Sequence, residues 1–565
     1  MSQRSDPLTI ALTGQLPIIL IVSTILAFVA SYLLLRLYRR AVIKSMRRRS
    51  RSDILETHGY IAPEPEHRPH DGALNFAFIT RDSTYGNDAG AKLYDDASRR
   101  RRLTAFVHII AGSVFAATMT TAFLYAGNLE FLPFRFLYLI WVNAWPVVIA
   151  VNLAIGLSRR GRLIAAAIYF FAGTIVAAIL MAKFPGLPFG QLVYLWLDYN
   201  VPATLLLVIF LNRRIRAVGP LVLVFMLLGV AGASLVVTLI GNNLQLLKAL
   251  ADASSAIGLG PTSAVVVLQM LGFAVFAVVG WLILSTLRQL YIAKSISEQS
   301  LTIDAVWLLF GIVNSIGLVF EGRLWILSGL VAFALYKLTA IASFRAAGLA
   351  RRAGSNGPRL LMLRVFALGK RSEALFESLG KSWRTVGSMQ MIAGPDLATA
   401  TIEPHEFMDF VGGRLARRFI DTGRTLDMRM SQMDLEADRE GQFRVTEFFC
   451  HDDTWKMTLV RLADESDTVL MDLRGFSPAH SGCVFEIHEL FNVVTLPRVV
   501  FAIDQSTDQS FLRQTMQHAW RQLKDRSPNH RLAEGQVALV ELSGMSAAAV
   551  DNLLYAICAA ASTSE

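Results

Sequence analysis

Nine long apolar runs with Arg or Lys gathered at their ends constrain this chain more than any other feature. The first, Leu16 to Leu37, is about 22 residues long, enough to cross the hydrocarbon core of a bilayer as a helix. Eight more follow, at about 104–126, 134–157, 163–182, 191–212, 218–241, 263–288, 303–320 and 323–345. A mean hydropathy of +0.45 and a charged fraction of 17% fit a polytopic helical membrane bundle of about nine spans. The first run resembles a signal peptide in length. However, its basic flank (Arg36, Arg39, Arg40, Lys44) follows the apolar stretch, and no small-residue cleavage site is evident, so it reads as a true span.

The net charge of +10 does not point to nucleic acid. The basic residues collect at the ends of apolar runs, among them Arg99 to Arg102, Arg159, Arg160, Arg162, Arg213, Arg214, Arg216, Arg345, Arg351 and Arg352. That is the positive-inside pattern. Connections 158–162, 212–216 and 288–302 then lie in the cytoplasm, whereas 184–190 and 242–262, poor in basic residues, lie outside. The alternation places the N-terminus outside and the C-terminal region inside. The expected location is a bacterial cytoplasmic membrane. The bilayer and its anionic headgroups are the expected partners of the basic runs.

The chain divides at its composition breaks. Residues 1–38 form an N-terminal span and 39–103 a basic cytoplasmic linker with a short strand or clip at 73–79. Residues 104–346 form an eight-helix region, 347–358 a linker, and 359–565 a cytoplasmic α/β domain with an insert near 404–450. No internal repeat stands out, which argues against a secondary transporter. Asp198, Lys337, Asn143, Asn152 and Asn314 fall within spans, with Pro146 nearby. A charge in hydrocarbon needs a partner or water. The simplest expectation is that Asp198 and Lys337 pair with each other or with polar neighbours; a conduction path is the alternative.

Beyond residue 358, apolar strands alternate with amphipathic helices. The strands are expected at 360–366, 388–393, 468–473, 498–503 and 536–542. The helices are expected at 372–383, 454–463 (capped by Asp453), 482–491, 508–523 and 547–560. This order predicts a mostly parallel sheet covered on both faces, a flavodoxin-like domain whose ligands sit past the C-terminal strand ends. Three such ends supply 367–370, 475–481 and 504–507. Glu486 lies close behind, near a helix N-terminus that favours its ionised form.

The segment Ser477, then Ser481-Gly482-Cys483-Val484-Phe485-Glu486-Ile487, resembles the pattern of Toll/interleukin-1 receptor (TIR) domains. There the third strand ends in Ser, and a Ser-x-Trp-Cys-x-x-Glu-Leu-like stretch opens the next helix. Leu363 to Phe366 resembles the family's first strand. The resemblance implies Glu486 as the catalytic residue for cleaving the nicotinamide–ribose bond of NAD. It also implies Ser477, Cys483 and Phe366 as nucleotide-side neighbours, with NAD as substrate and no tightly bound cofactor. Gly482 stands where the family has Trp, and the 404–450 insert replaces the loop after the second strand.

Three cysteines, none in a CxxC pair, make a zinc site unlikely by spacing, and no GxGxxG, P-loop, HExxH or GxSxG occurs. His451-Asp452-Asp453 reads as helix capping before it reads as a metal site, and Asp504 as a turn residue before a ligand contact. Trp383, Trp455 and Trp520 read as core anchors. Three functions stay open. One is a membrane signalling protein whose TIR-like domain acts on clustering. A second is a non-catalytic adaptor that self-associates or binds protein partners. The third is a transporter or channel with a cytoplasmic regulatory domain.

Overall fold

The computed structural model describes residues 11–47, 70–81, 88–157, 159–210, 215, 218–241, 243–256, 258, 260–350, 356–365, 370–394 and 402–564. It comprises two compact units. One contains Met1–Leu37, Ala105–Ala346 and Ile402–Met408; the other contains Tyr38–Thr104, Ala347–Thr401 and Asp409–Glu565.

The first unit is helical. Among the described residues, nine helices are long and apolar enough to cross a membrane: Thr13–Met46, Asp88–Ala126, Pro133–Ile155, Arg160–Lys183, Phe189–Phe210, Gly219–Ile240, Thr262–Ile292, Gln299–Phe320 and Arg323–Ala346. Their positions match the expected runs; the loop after the sixth carries an additional helix, Leu244–Ala256. Small residues allow close approach. Gly311 faces Gly329 backbone to backbone, while Ser315 Oγ lies 3.0 Å from Ser328 Oγ and accepts the Gly329 N–H at 2.8 Å. Of the two pairings expected for Lys337, the structure shows the one with a polar neighbour, not the one with Asp198. The Lys337 ammonium bonds Asp304, at 2.9 Å to Oδ1 and 2.6 Å to Oδ2, and Asp198 is exposed. On the neighbouring residue, the Tyr336 hydroxyl meets His108 Nδ1 at 3.0 Å in a buried pair.

The second unit is built on one parallel sheet of eight strands: β1 (Ala73–Phe78), β2 (Arg359–Arg364), β3 (Ser388–Ile392), β4 (Phe419–Ile420), β5 (Val445–Cys450), β6 (Thr468–Asp472), β7 (Val499–Ile503) and β8 (Glu534–Glu541). Their spatial order is β1-β8-β7-β6-β2-β3-β5-β4. β2 and β6 run side by side, with Arg364 level with Asp472 at their C-terminal ends. Strand residues alternate between two cores. Leu361, Leu363, Val469, Met471, Val499 and Phe501 face helices Trp455–Glu465, Ser481–Val493 and Gln509–Arg521. Leu360, Met362, Leu470, Val500 and Ala538 face helices Lys370–Trp383 and Ala547–Ala561. Both faces are therefore buried, which is why the strands read as continuous apolar runs.

Two segments differ from their sequence-based reading. The short strand expected at 73–79 is present as the edge strand β1, but the stretch 39–103 is more than a linker, since Tyr94 and Ala97 of helix Asp88–Ala126 enter the second core. The insert near 404–450 supplies β4 and β5, the opposite edge. Helix 455–465 is preceded by Thr454 at its N-cap, not Asp453. Of the three tryptophans, Trp383 and Trp520 are buried and Trp455 is partly buried against the first core.

Trp520 anchors β1. Its indole is 1% exposed, and Nε1 donates to the Gly72 carbonyl at 2.7 Å, just before the strand. Trp520→Ala should cost about 3–5 kcal/mol and open the chain at Arg81 to trypsin. Trp520→Phe, which keeps most of the packing, should cost only about 1 kcal/mol. Thermal unfolding of the full chain with limited proteolysis checks both. Equal losses in the two variants would mean that the indole bond, not its volume, holds the edge.

Candidate active site at the sheet's C-terminal rim

The rim is organised by charges that end apolar strands. Asp472 closes β6 and is fully buried. Arg474 folds back on it bidentately, Nε to Oδ1 and Nη2 to Oδ2, each at 2.7 Å. The same Nη2 donates to the Arg371 carbonyl at 3.1 Å, so the pair also fixes the start of helix 370–383. Such a desolvated pair is weak evidence for stability, but losing either partner strands a buried charge. Gly475 follows with φ 72°, a left-handed turn that glycine enters without strain. Phe476 then turns inward and stacks on Phe511 at 5.3 Å between centroids.

Ser477 and His480 close the turn. The Ser477 N–H donates to His480 Nδ1 at 3.2 Å, and the Ser477 hydroxyl lies 3.1 Å from the same nitrogen. An accepting Nδ1 leaves Nε2 as the protonated nitrogen of the neutral ring. The His480 carbonyl accepts from Cys483 at 3.1 Å and Val484 at 3.2 Å, starting helix 481–493. Two turns in, this helix directs Glu486 toward the sheet.

Glu486 is 2% exposed, and its Oε2 has no hydrogen-bond partner. Burial pushes its carboxyl up to about 8; the Arg364 guanidinium and a hydrogen bond from the Cys483 thiol oppose the shift without cancelling it. Burial likewise raises the Cys483 thiol, reinforced by the neighbouring Glu486 and Asp472 carboxylates, so it is not a thiolate nucleophile. Arg364 is 2% exposed and donates from Nη1 to the Ile392 carbonyl at 3.4 Å, linking the ends of β2 and β3.

The structure therefore brings Glu486 and Cys483 together and places Ser477 at the head of the same helix. Phe366 lies outside the described residues. Arg364, Asp472 and Arg474 were not singled out by sequence reasoning. For Arg364 and Asp472 the signal was present, an ionisable residue closing a buried and mostly apolar strand; Arg474 lies two residues beyond β6. Asp504 sits at the same rim, paired with Arg371 and bonded by the Ser506 N–H at 3.0 Å and its hydroxyl at 2.6 Å. That is a satisfied turn. His451 does not face a metal cluster. Its Nδ1 contacts the Ser45 carbonyl and its Nε2 contacts Asp421 Oδ1, both at 2.8 Å. Among the described residues no group of three or more His, Cys, Asp or Glu could hold a metal ion. All three cysteines are buried and free.

The rim also has a topological distinction. The helix after β2 covers one face of the sheet and the helix after β6 covers the other, while β2 and β6 are neighbours. The chain diverges there, as it does at the ligand crevice of open α/β sheets. Compared with family models, curated proteins and solved structures, the chain matches none.

The raised carboxyl has a sign that can be checked. Below pH 4.5 both folded and unfolded states hold the proton. Between 4.5 and about 8 only the folded state holds it, so stability falls as pH rises through that window and levels off above it. Glu486→Gln should remove this dependence and gain most at pH 8. Denaturation of both proteins from pH 4.5 to 9 tests it; parallel curves would place the pH dependence on other groups.

Proposed function

We propose that this chain is an integral membrane signalling protein. In this reading the helical unit spans a bacterial cytoplasmic membrane, and the α/β unit is a cytoplasmic TIR-like domain. It cleaves the nicotinamide–ribose bond of NAD when clustering opens the rim over Glu486. The observation that carries the reading is a buried carboxyl at the switch point with an oxygen that nothing satisfies. Unsatisfied buried groups are costly and mark sites kept for a task.

Two further observations support it. The strands β3-β2-β6-β7-β8, taken alone, follow the order 2-1-3-4-5 of flavodoxin-like sheets. The Ser477 to Glu486 segment that resembles TIR domains leads from the end of the central strand β6 into the helix that bears the carboxyl. The chemistry follows from desolvation. Closed, Glu486 holds its proton and no substrate reaches it. Opening admits water and removes the main cause of the raised pKa, so the carboxylate ionises as it becomes accessible. An ionised carboxylate beside the ribose would stabilise the oxocarbenium-like transition state as nicotinamide leaves and water adds at the anomeric carbon.

The burial of Glu486 also favours a second reading, a non-catalytic adaptor that binds protein partners or a second copy of itself. The two part on one measurement. Full-length protein in nanodiscs, alone and clustered through an antibody to an added tag, is incubated with NAD and assayed for nicotinamide. The enzyme reading expects release on clustering and its loss, by at least about a hundredfold, in Glu486→Ala. Release equal to that of the variant under both conditions leaves the adaptor reading.

A further inference from the structure

The Pro133–Ile155 span is two helices. Pro133–Asn143 ends at Ala144, and Trp145–Ile155 begins with Pro146 in its first turn. Pro146 has no N–H, so it offers nothing to the Val142 carbonyl four residues back. A neighbouring helix supplies the missing donor: Asn200 of Phe189–Phe210 donates from Nδ2 to that carbonyl at 3.1 Å. Its second N–H goes to the Trp196 carbonyl, also at 3.1 Å. Asn143, at the break itself, spends its two N–H bonds on Thr120 Oγ1 at 3.2 Å and the Leu139 carbonyl at 3.0 Å.

Both amides are buried, Asn143 at 2% and Asn200 at 1% exposure. With both donors of each committed, the orientation of each amide follows; flipping Asn200 would set its oxygen against two carbonyls. What remains is acceptor only, and neither Asn143 Oδ1 nor Asn200 Oδ1 has a partner. Three indoles on these helices and the Tyr169 hydroxyl donate elsewhere. Trp141 Nε1 bonds the Tyr169 carbonyl, Trp145 Nε1 bonds Thr204 Oγ1, and Trp196 Nε1 bonds the Tyr169 hydroxyl, which itself donates to the Trp141 carbonyl.

Two buried amide oxygens that only accept are chemistry for a cation, not an anion. Asp198, which is exposed, is the one acidic or basic residue of helix 189–210. A site built from neutral amides, with a single carboxylate on the same helix, suits one positive charge; a divalent ion calls for more. Asn143 and Asn200 lie near the middle of their spans, at a helix interruption, where ion sites of membrane proteins are built from broken helices. We propose that this break binds a monovalent cation through Oδ1 of Asn143 and Oδ1 of Asn200.

The test uses the full-length chain in nanodiscs and its thermal unfolding in NaCl, KCl, NH₄Cl and N-methylglucamine chloride at equal ionic strength. The expected result is a saturable rise of a few degrees with at least one small cation over N-methylglucamine. Asn143→Asp keeps the size and adds charge, so it should shift the titration to about tenfold lower cation concentration. Asn200→Leu, if it folds, should flatten it. Coincident curves for all four salts in the unmodified protein overturn the proposal and leave ordered water as the partner of the two oxygens. A cation-specific rise that both variants leave unchanged overturns it as well, because the ion then sits elsewhere.

Discussion

Parallel pairing of all eight strands forces each connection to cross a face of the sheet, and the rest of the α/β unit follows from that. Helices must cover both faces, so the central strands are mostly apolar, and β2 and β6 each close on an ionisable residue. All C-terminal ends then share one rim, and the ionisable residues that close the strands meet there. Arg364 ends β2, Asp472 ends β6, and Asp504 follows β7. Each is nearly or fully buried, so each must find a partner. Asp472 finds Arg474, and Asp504 finds Arg371, whose carbonyl Arg474 also holds. The polar order of the rim is thus a consequence of how the strands are paired. Glu486 differs from its neighbours because its charge is opposed by burial more than it is answered by Arg364.

The parts legible in the sequence were those governed by local pattern. An apolar run of twenty or more residues has few solutions, and all nine runs are helices of sufficient length. The five central strands were legible for the same reason, since burial on both faces leaves a short continuous apolar signal. The edges were not. β4 has two residues, β5 carries Glu447 within it, and β1 lies more than 270 residues from the next strand, β2, behind a polar stretch. An edge strand such as β1 or β4 pairs on one side only, and its side chains need not be apolar; β5 is paired to β4 only through Phe449 and Cys450. Lys337 makes the same point in the helical unit. Its partner Asp304 lies on a separate helix, at the very start of an apolar run, where a carboxylate attracts no notice.

For the rim, position was legible and accessibility was not. Strand–turn–helix order placed Glu486 past a strand end, as found, but burial depends on everything packed above and beside it. Ionisation was misjudged for the same reason. The helix N-terminus favours the charged form of a nearby carboxyl by a fraction of a kcal/mol to about 1 kcal/mol when solvated. Complete burial acts on the same group in the opposite direction and more strongly. Sequence supplies the dipole; only packing supplies the dielectric.

That competition gives the rim its character. A carboxyl held neutral by burial does not attract a cationic ring or stabilise a developing positive charge, so the closed site is inert on electrostatic grounds as well as steric ones. Partial opening does not restore it in proportion. The desolvation penalty falls steeply once the first waters reach Oε2, whereas the Arg364 contribution weakens only as the dielectric rises around it. In the proposed function, access and charge would therefore change together as the rim opens. The Asp472–Arg474 pair, buried and bidentate, holds the base of the turn that Gly475 begins while the segment beyond it, from Ser477 to His480, is only partly buried. In the proposed function, such a base beneath a partly solvated turn would let local opening reach the carboxyl without loss of the sheet that positions it.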